Sequence, residues 1–142
     1  MNKKTTQIIV TCVILICIAA AGTAIWLYTS LPYINLSEIE KIEVWTYPSF
    51  SYELTDEEIN VFSDIYYDSE YLGKRDGGTT PSHGVRIYYK NGESLSIHDA
   101  QSTVFELQYS DRRDDGVKTH KFDSPALLDF IKQLEKTHGE KQ

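Results

Sequence analysis

Four histidines, His83, His98, His120 and His138, are the side chains of this sequence best suited to proton transfer or metal binding near neutral pH. None stands at a ligand spacing such as H-x-x-x-H or H-E-x-x-H, and neither cysteine lies near them. His98 followed by Asp99 at a strand end, with His120 from a neighbouring strand, is the one combination that can be assembled into a metal or acid–base site. Such a site needs three or more converging ligands, and the simpler reading is imidazoles at the rim of a sheet. Serine is common, yet no G-x-S-x-G elbow or S-x-x-K pair occurs, so a serine nucleophile lacks support. Gly77-Gly78 is followed by neither Lys-Ser nor a helix start, which removes a phosphate loop. Asp111, Asp114, Asp115 and Gly116 depart from a calcium loop, because Arg112 and Arg113 stand between the acids and no closing Glu follows. No catalytic residue, metal site or cofactor is therefore assigned, and the chain is read as a non-enzyme.

Aromatic residues are the more suggestive feature, with 10 Tyr and 2 Trp. Tyr66, Tyr89 and Tyr109 are expected in the core or at its edge. Trp45, Tyr47 and Tyr88 fall on strand faces opposite the apolar side, where they join Arg86, His98, Glu106 and Gln108. If helices cover the apolar face, this mixed face is left open. Trp, Tyr and Arg dominate binding hot spots, so Trp45, Tyr47, Arg86, Tyr88 and His98 are the candidate binding residues, for a protein or a stacked sugar. The competing reading is structural, since cross-strand aromatic pairs also stabilise half-exposed sheets.

The elements that must position these residues alternate between periods of two and 3.6. Residues 39–47 alternate as a strand with Ile42, Val44 and Thr46 on one side, and Pro48 closes it. In Leu54-Thr55-Asp56-Glu57-Glu58-Ile59 the Thr55 hydroxyl can cap a helix and Glu58 can return the bond, with Leu54 stapled onto Ile59. Ile59, Phe62, Ile65 and Tyr66 form its buried stripe. A strand over 70–75 follows, and then the Gly-rich stretch 76–81, flexible by composition. Residues 85–97 read as a hairpin. A three-residue loop Lys90-Asn91-Gly92, with Gly92 left-handed in a bulge, pairs Ile87 with Leu95 and Val85 with Ile97 and so keeps all four apolar residues on one face. Residues 103–109 form a strand with Phe105 and Leu107 inward, 111–116 a charged turn, and 117–122 a last strand. Ser124 caps a final helix with Pro125 in its first position and Leu127, Phe130, Ile131 and Leu134 on its buried side. The expectation is an α+β, two-layer domain: an antiparallel sheet of about five or six strands with two helices on one face.

Upstream of this domain, no charge occurs between Lys4 and Glu38. Residues 8–28 are apolar, small or hydroxylated, and as a helix span roughly 30 Å, the thickness of a bilayer's hydrocarbon core. Trp26 and Tyr28 stand at the far end, where amphipathic rings favour the headgroup layer. Lys3 and Lys4 precede the segment, and Glu38 and Glu40 follow it, so the positive-inside bias places residues 1–7 in the cytoplasm and the domain outside. The small residues from Ala19 to Ala24 also suit a cleavable signal peptide, but hydrophobicity resumes at Ile25, Trp26 and Leu27, which favours an uncleaved anchor. Thr11 and Ile16 precede Cys12 and Cys17 where lipoprotein processing wants a small residue. Both cysteines lie in this segment, so no disulfide can staple the domain.

The organisation read from these features is a cytoplasmic tail over 1–7, a transmembrane anchor over 8–28, a spacer over 29–37, the domain over 38–138 and a tail over 139–142. The chain has 142 residues and a formal charge of −7, and with Lys3 and Lys4 set aside 12 basic against 21 acidic side chains remain, a charge of −9. No basic stripe can follow a phosphate backbone, so nucleic acid is excluded as a partner. An acidic body beside an anionic leaflet is repelled rather than drawn flat onto it.

Five features together resemble the small membrane-anchored α+β domains of unknown function of Gram-positive bacteria. They are the Lys3-Lys4 start, the single span, the I-x-K-I-x-V strand from Ile39 to Val44, the T-D-E-E-I helix opening at Thr55 and the Y-K-N-G hairpin at Tyr89. The resemblance spans most of the chain, implies a cell-envelope location and carries no catalytic residue with it. The expected function is a single-pass, membrane-anchored extracytoplasmic binding or accessory protein whose partners are the bilayer, through residues 8–28, and an envelope protein or wall component. Alternatives are an extracytoplasmic hydrolase or metal-dependent enzyme using His98, Asp99 and His120, and an immunity or inhibitor protein.

Overall fold

The computed structural model describes residues 2–75, 80–109 and 119–139, with Lys3 and residues 24–29 described by backbone alone. The chain divides into two units, Met1–Pro32 and Tyr33–Gln142. The first is one helix, α1 (Lys3–Thr29). Within it Lys4–Thr23 is long and apolar enough to cross a membrane, with none of its length buried; a signal sequence near an N-terminus has the same properties. Its hydroxyls turn back onto the helix. Thr11 Oγ1 donates to the Gln7 carbonyl at 2.9 Å, and Thr23 Oγ1 lies 2.9 Å from the Ala20 and 3.0 Å from the Ala19 carbonyl. Lipid offers no hydrogen-bond partner, so this back-bonding suits these side chains to hydrocarbon. The ring positions expected of Trp26 and Tyr28 lie outside the described side chains.

The second unit is α+β. Its strands are β1 (Ile39–Thr46), β2 (Phe50–Glu53), β3 (Glu70–Arg75), β4 (His83–Tyr89), β5 (Ser94–Gln101), β6 (Val104–Tyr109) and β7 (Thr119–Asp123), with helices α2 (Asp56–Tyr67) and α3 (Pro125–His138). They form one antiparallel sheet in the order β2-β1-β4-β5-β6-β7-β3. Seven strands replace the expected five or six. The added one is β2, a short edge strand in which Phe50 and Tyr52 alternate with Ser51 and Glu53 and which folds back on β1 with Thr46 opposite Phe50.

The hairpin has the register expected from its side chains. Ile87 pairs with Leu95 and Val85 with Ile97, and the Tyr89 N–H donates to the Glu93 carbonyl across the loop. Gly92, at φ +86°, takes the left-handed position that a side chain disfavours. The helix starts also form as their sequences dictate. Thr55 Oγ1 accepts from the Glu58 N–H while the Glu58 carboxylate accepts from the Thr55 N–H at 2.9 Å, and Ser124 Oγ accepts from the Leu127 N–H.

Both helices lie on one face of the sheet. Ile42, Val44, Val85, Ile87, Leu95, Ile97, Phe105, Leu107 and Phe122 supply its side of the core, against Phe62 and Tyr66 of α2 and Leu127, Ile131 and Leu134 of α3. Tyr66 meets Phe122 edge-on at 5.5 Å, and Phe122 stacks on Phe105. The His138 ring stacks on Tyr52 at 4.0 Å, which ties the end of α3 to β2. Each fully buried aliphatic or aromatic side chain contributes about 1.5–3 kcal/mol, and with no disulfide in this unit that burial holds the fold.

Within the segment read as a spacer over 29–37, Tyr33 and the residues after it group with the second unit. Ile34 is only 3% exposed and donates its N–H to Tyr67 Oη at 2.9 Å. Lys90 Nζ donates to the Ser37 carbonyl at 2.7 Å, and Asn35 caps a short 3-10 turn over Leu36–Glu38. An apolar side chain in a Pro- and Asn-containing stretch finds burial against α2, which local pattern does not reveal. The flexible stretch expected at Asp76 to Thr79, the charged turn from Asp111 to Gly116 and residues 140–142 lie outside the described residues.

Candidate functional site: the sheet face opposite the helices

Strand register places three cross-strand rows on the face away from α2 and α3. One runs Trp45, Gly84, His98, Glu106, Lys121; the next Glu43, Arg86, Ser96, Gln108; the third Lys41, Tyr88, Ser94. Of the five candidate binding residues, Trp45, Arg86, Tyr88 and His98 therefore share this face. Tyr47 lies past the end of β1 in the turn to β2, 75% exposed.

The rows differ in character. His98, placed in the sequence reading among exposed binding residues, is buried at 8%, and Glu106 opposite it is 4% exposed. His98 Nε2 lies 2.9 Å from Glu106 Oε1, while Glu106 Oε2 takes Lys121 Nζ at 3.4 Å and the Thr119 hydroxyl at 3.2 Å. One carboxylate thus joins β5, β6 and β7. A buried charge needs such partners, so this row is a polar brace across the sheet. The Trp45 ring packs over Gly84 beside it, and its Nε1 is buried without an acceptor among the described residues. Trp45 consequently offers ring carbon to a partner, not a donor.

The outer rows are accessible and charged. Glu43 receives Lys41 Nζ at 2.6 Å and the Tyr88 hydroxyl at 2.9 Å, and the Lys41 ammonium lies 4.7 Å from the Tyr88 ring centre. The Lys41 hydrogen bond holds the Glu43 carboxyl below its usual range, against the opposing effect of burial and with help from Tyr88. The same bond pushes the Lys41 ammonium up. Arg86 and Gln108 are exposed in the middle row. The result is a fixed mosaic of aromatic ring and both signs of charge.

The acid–base combination of His98, Asp99 and His120 is not assembled. His98 turns to Glu106, whereas His120 Nδ1 lies 2.8 Å from the Tyr71 hydroxyl. In the ladder His120 pairs with Leu107 and its neighbour Lys121 with Glu106, so His120 and His98 belong to opposite faces. Among the described residues no group of three or more His, Cys, Asp or Glu side chains gathers so as to hold a metal.

Asp99 belongs to a cluster that the sequence reading missed. Its Oδ1 accepts from the Ser82 and His83 N–H groups at 2.7 and 2.8 Å, and its Oδ2 takes the Ser82 hydroxyl at 2.7 Å. Burial pushes this carboxyl up, but the His83 N–H and then the Ser82 hydroxyl and N–H outweigh it, leaving the group below its usual range. The trio resembles a serine triad only in composition. Ser82 Oγ at 2.9 Å and Asp99 Oδ2 at 3.4 Å both face Nδ1 of His83, whereas a triad needs nucleophile and orienter on opposite ring nitrogens. It is a clasp that holds the start of β4 to β5. The pairing of Val85 with Ile97 already implied it, since two residues outward that register sets His83 against Asp99.

Comparisons with protein-family models, with curated proteins and with solved structures found no match.

Proposed function

We propose that the chain is a single-pass membrane protein of the cell envelope, its N-terminus cytoplasmic, whose extracytoplasmic domain binds another envelope protein through the sheet face opposite the helices. The carrying observation is the pair of outer rows. Arg86 stands exposed between the Lys41–Glu43–Tyr88 cluster and the Trp45 ring, with Gln108 exposed two strands away in the same row, on a face that neither helix covers. Charged groups held by mutual bonds and flanked by aromatic carbon suit a protein partner, because they lose little side-chain entropy on binding. The length and apolarity of α1 support the anchor, and Lys3 and Lys4 support the orientation.

The test is in-cell photocrosslinking of the full-length chain with the probe at Arg86 or Gln108, and at Asp129 on α3 as a control. A defined envelope protein captured from positions 86 and 108, absent from 129 and lost on Tyr88→Ala, is the expected result. Equal or no capture at all three positions removes this reading. Protease added to intact, wall-stripped cells should digest the chain after Ser30; protection there reverses the orientation.

A further inference from the structure

A second concave surface adjoins the sheet's open face. It is a cleft of about 300 Å³ between the β4–β5 loop, the end of β6 and the segment that begins at Tyr33. Three tyrosines line it: Tyr33, Tyr89 and Tyr109. Each is positioned by its own constraint. Tyr33 stacks on Tyr67 at 6.5 Å and is followed by the buried Ile34. Tyr89 closes the hairpin through its N–H bond to Glu93, and Tyr109 pairs with Leu95 in the ladder.

Two acidic residues, Glu38 and Glu93, share this lining. Glu93 is oriented by Asn91 Nδ2 at 2.9 Å. Among the described residues the lining carries no basic side chain, and the nearby Lys90 directs its ammonium to the Ser37 carbonyl. Burial first, and then Tyr109, Tyr67 and Glu93, push the Tyr89 hydroxyl up to about 12, so the phenol stays neutral. The negative faces of tyrosine rings and fixed carboxylates both attract a cation, and neither attracts an anion. A compact metal ion is poorly served, because the lining offers two acidic residues and no third His, Cys, Asp or Glu gathers with them among the described residues. A cation that carries its charge on a carbon skeleton matches both parts.

We propose that this cleft binds an organic ammonium group, held by the rings of Tyr33, Tyr89 and Tyr109 and by the carboxylates of Glu38 and Glu93. The group can arrive on a lipid headgroup or on a soluble carrier. The cleft adjoins the protein-binding face at Ser94, but the residues that carry the two proposals differ, and either proposal stands without the other.

The test uses the full-length chain, isotope-labelled at its tyrosine rings, in nanodiscs of phosphatidylglycerol, whose headgroup has no ammonium. Choline should shift the Tyr33, Tyr89 and Tyr109 ring signals to saturation. Its uncharged isostere, with tert-butyl in place of trimethylammonium, should leave them unmoved. Glu38→Gln should weaken choline binding about tenfold, the factor that about 1.4 kcal/mol makes in an equilibrium, while its ligand-free ring spectrum matches the parent. Tyr33→Ala should weaken it as well. Replacing the lipid with phosphatidylcholine separates the sources: rings already shifted mark a lipid headgroup, and rings unshifted until free choline is added mark a soluble carrier. Equal shifts from choline and its isostere, shifts from N-acetylglucosamine but not choline, or no shift with any probe overturn the assignment.

Discussion

The indole of Trp45 fills the space over Gly84: a Cβ placed on Gly84 would lie 2.6 Å from Trp45 Cζ2, 2.7 Å from its Cε2 and 2.7 Å from the Ile97 carbonyl oxygen. Glycine here is a matter of close approach, and the middle of the sheet depends on it. Gly84→Ala should destabilise the domain by about 1–3 kcal/mol, read as a lower urea midpoint with altered tryptophan fluorescence. The double variant with Trp45→Ala should recover only part of the loss, because the Ile97 contact is to backbone that cannot swing aside. A parental midpoint for Gly84→Ala would show that both the ring and the Ile97 backbone give way, and would weaken the case for a fixed aromatic element on this face.

Glu106 holds three strands through one carboxylate, so its variants should separate charge from hydrogen bonding. Glu106→Ala leaves Lys121 and His98 facing a gap and should cost about 3 kcal/mol, the scale of breaking a buried pair from one side. Glu106→Gln retains an acceptor for one neighbour and should cost about 1 kcal/mol. Equilibrium unfolding of the full-length chain in detergent measures both. Equal, negligible losses would mean that the brace carries no stability and that His98 is free to serve recognition.

Asp99 gives the domain an acid-sensitive seam. Its folded carboxyl lies below the ordinary value of 3.8, so the unfolded chain takes up its proton first. The stabilisation is then complete above about pH 3.8 and is lost as pH falls through the lower folded value. Glu43 acts in the same direction. Asp99→Asn should therefore be less stable than the parent at neutral pH, with the difference shrinking as pH drops below 3.8. Urea midpoints of both proteins across that range decide it, and parallel pH profiles would contradict the clasp.

How much of this was legible in the sequence depends on whether the deciding partner was local. Asn91-Gly92 and the alternation around it determined the hairpin register, because a one-residue slip would have put Val85 and Ile87 on the wrong side from Leu95 and Ile97. Thr55 and Glu58 marked a helix start for the same reason, both partners lying within one turn. β2 escaped notice although Phe50-Ser51-Tyr52-Glu53 alternates, since four residues directly after Pro48 are too short to stand out as a strand. The burial of His98 depends on Glu106 and Lys121, contributed by two other strands. Ile34 likewise hydrogen-bonds through its N–H to Tyr67, 33 residues away. The aromatic and charged face was visible as a period of two; which of its members are braces and which are accessible was set by cross-strand neighbours.

The contact between Tyr67 and Ile34 ties the first residues of the second unit to α2. Tyr67 Oη accepts from the Ile34 N–H at 2.9 Å and lies 3.3 Å from its carbonyl, so one hydroxyl serves both backbone groups of a residue that is itself buried. Tyr67→Phe removes the hydroxyl and keeps the ring on which Tyr33 stacks. The Ile34 N–H then lacks its acceptor, a loss of about 1.4 kcal/mol, and its amide should exchange about tenfold faster. Amides in the middle of β5 should exchange at the parental rate, because the change is confined to the domain's first residues. Tyr67→Ala removes hydroxyl and ring together and should open residues 33–37 to protease. If Ile34 exchange is unchanged in Tyr67→Phe, burial of its side chain alone anchors the segment, and the hydroxyl is incidental.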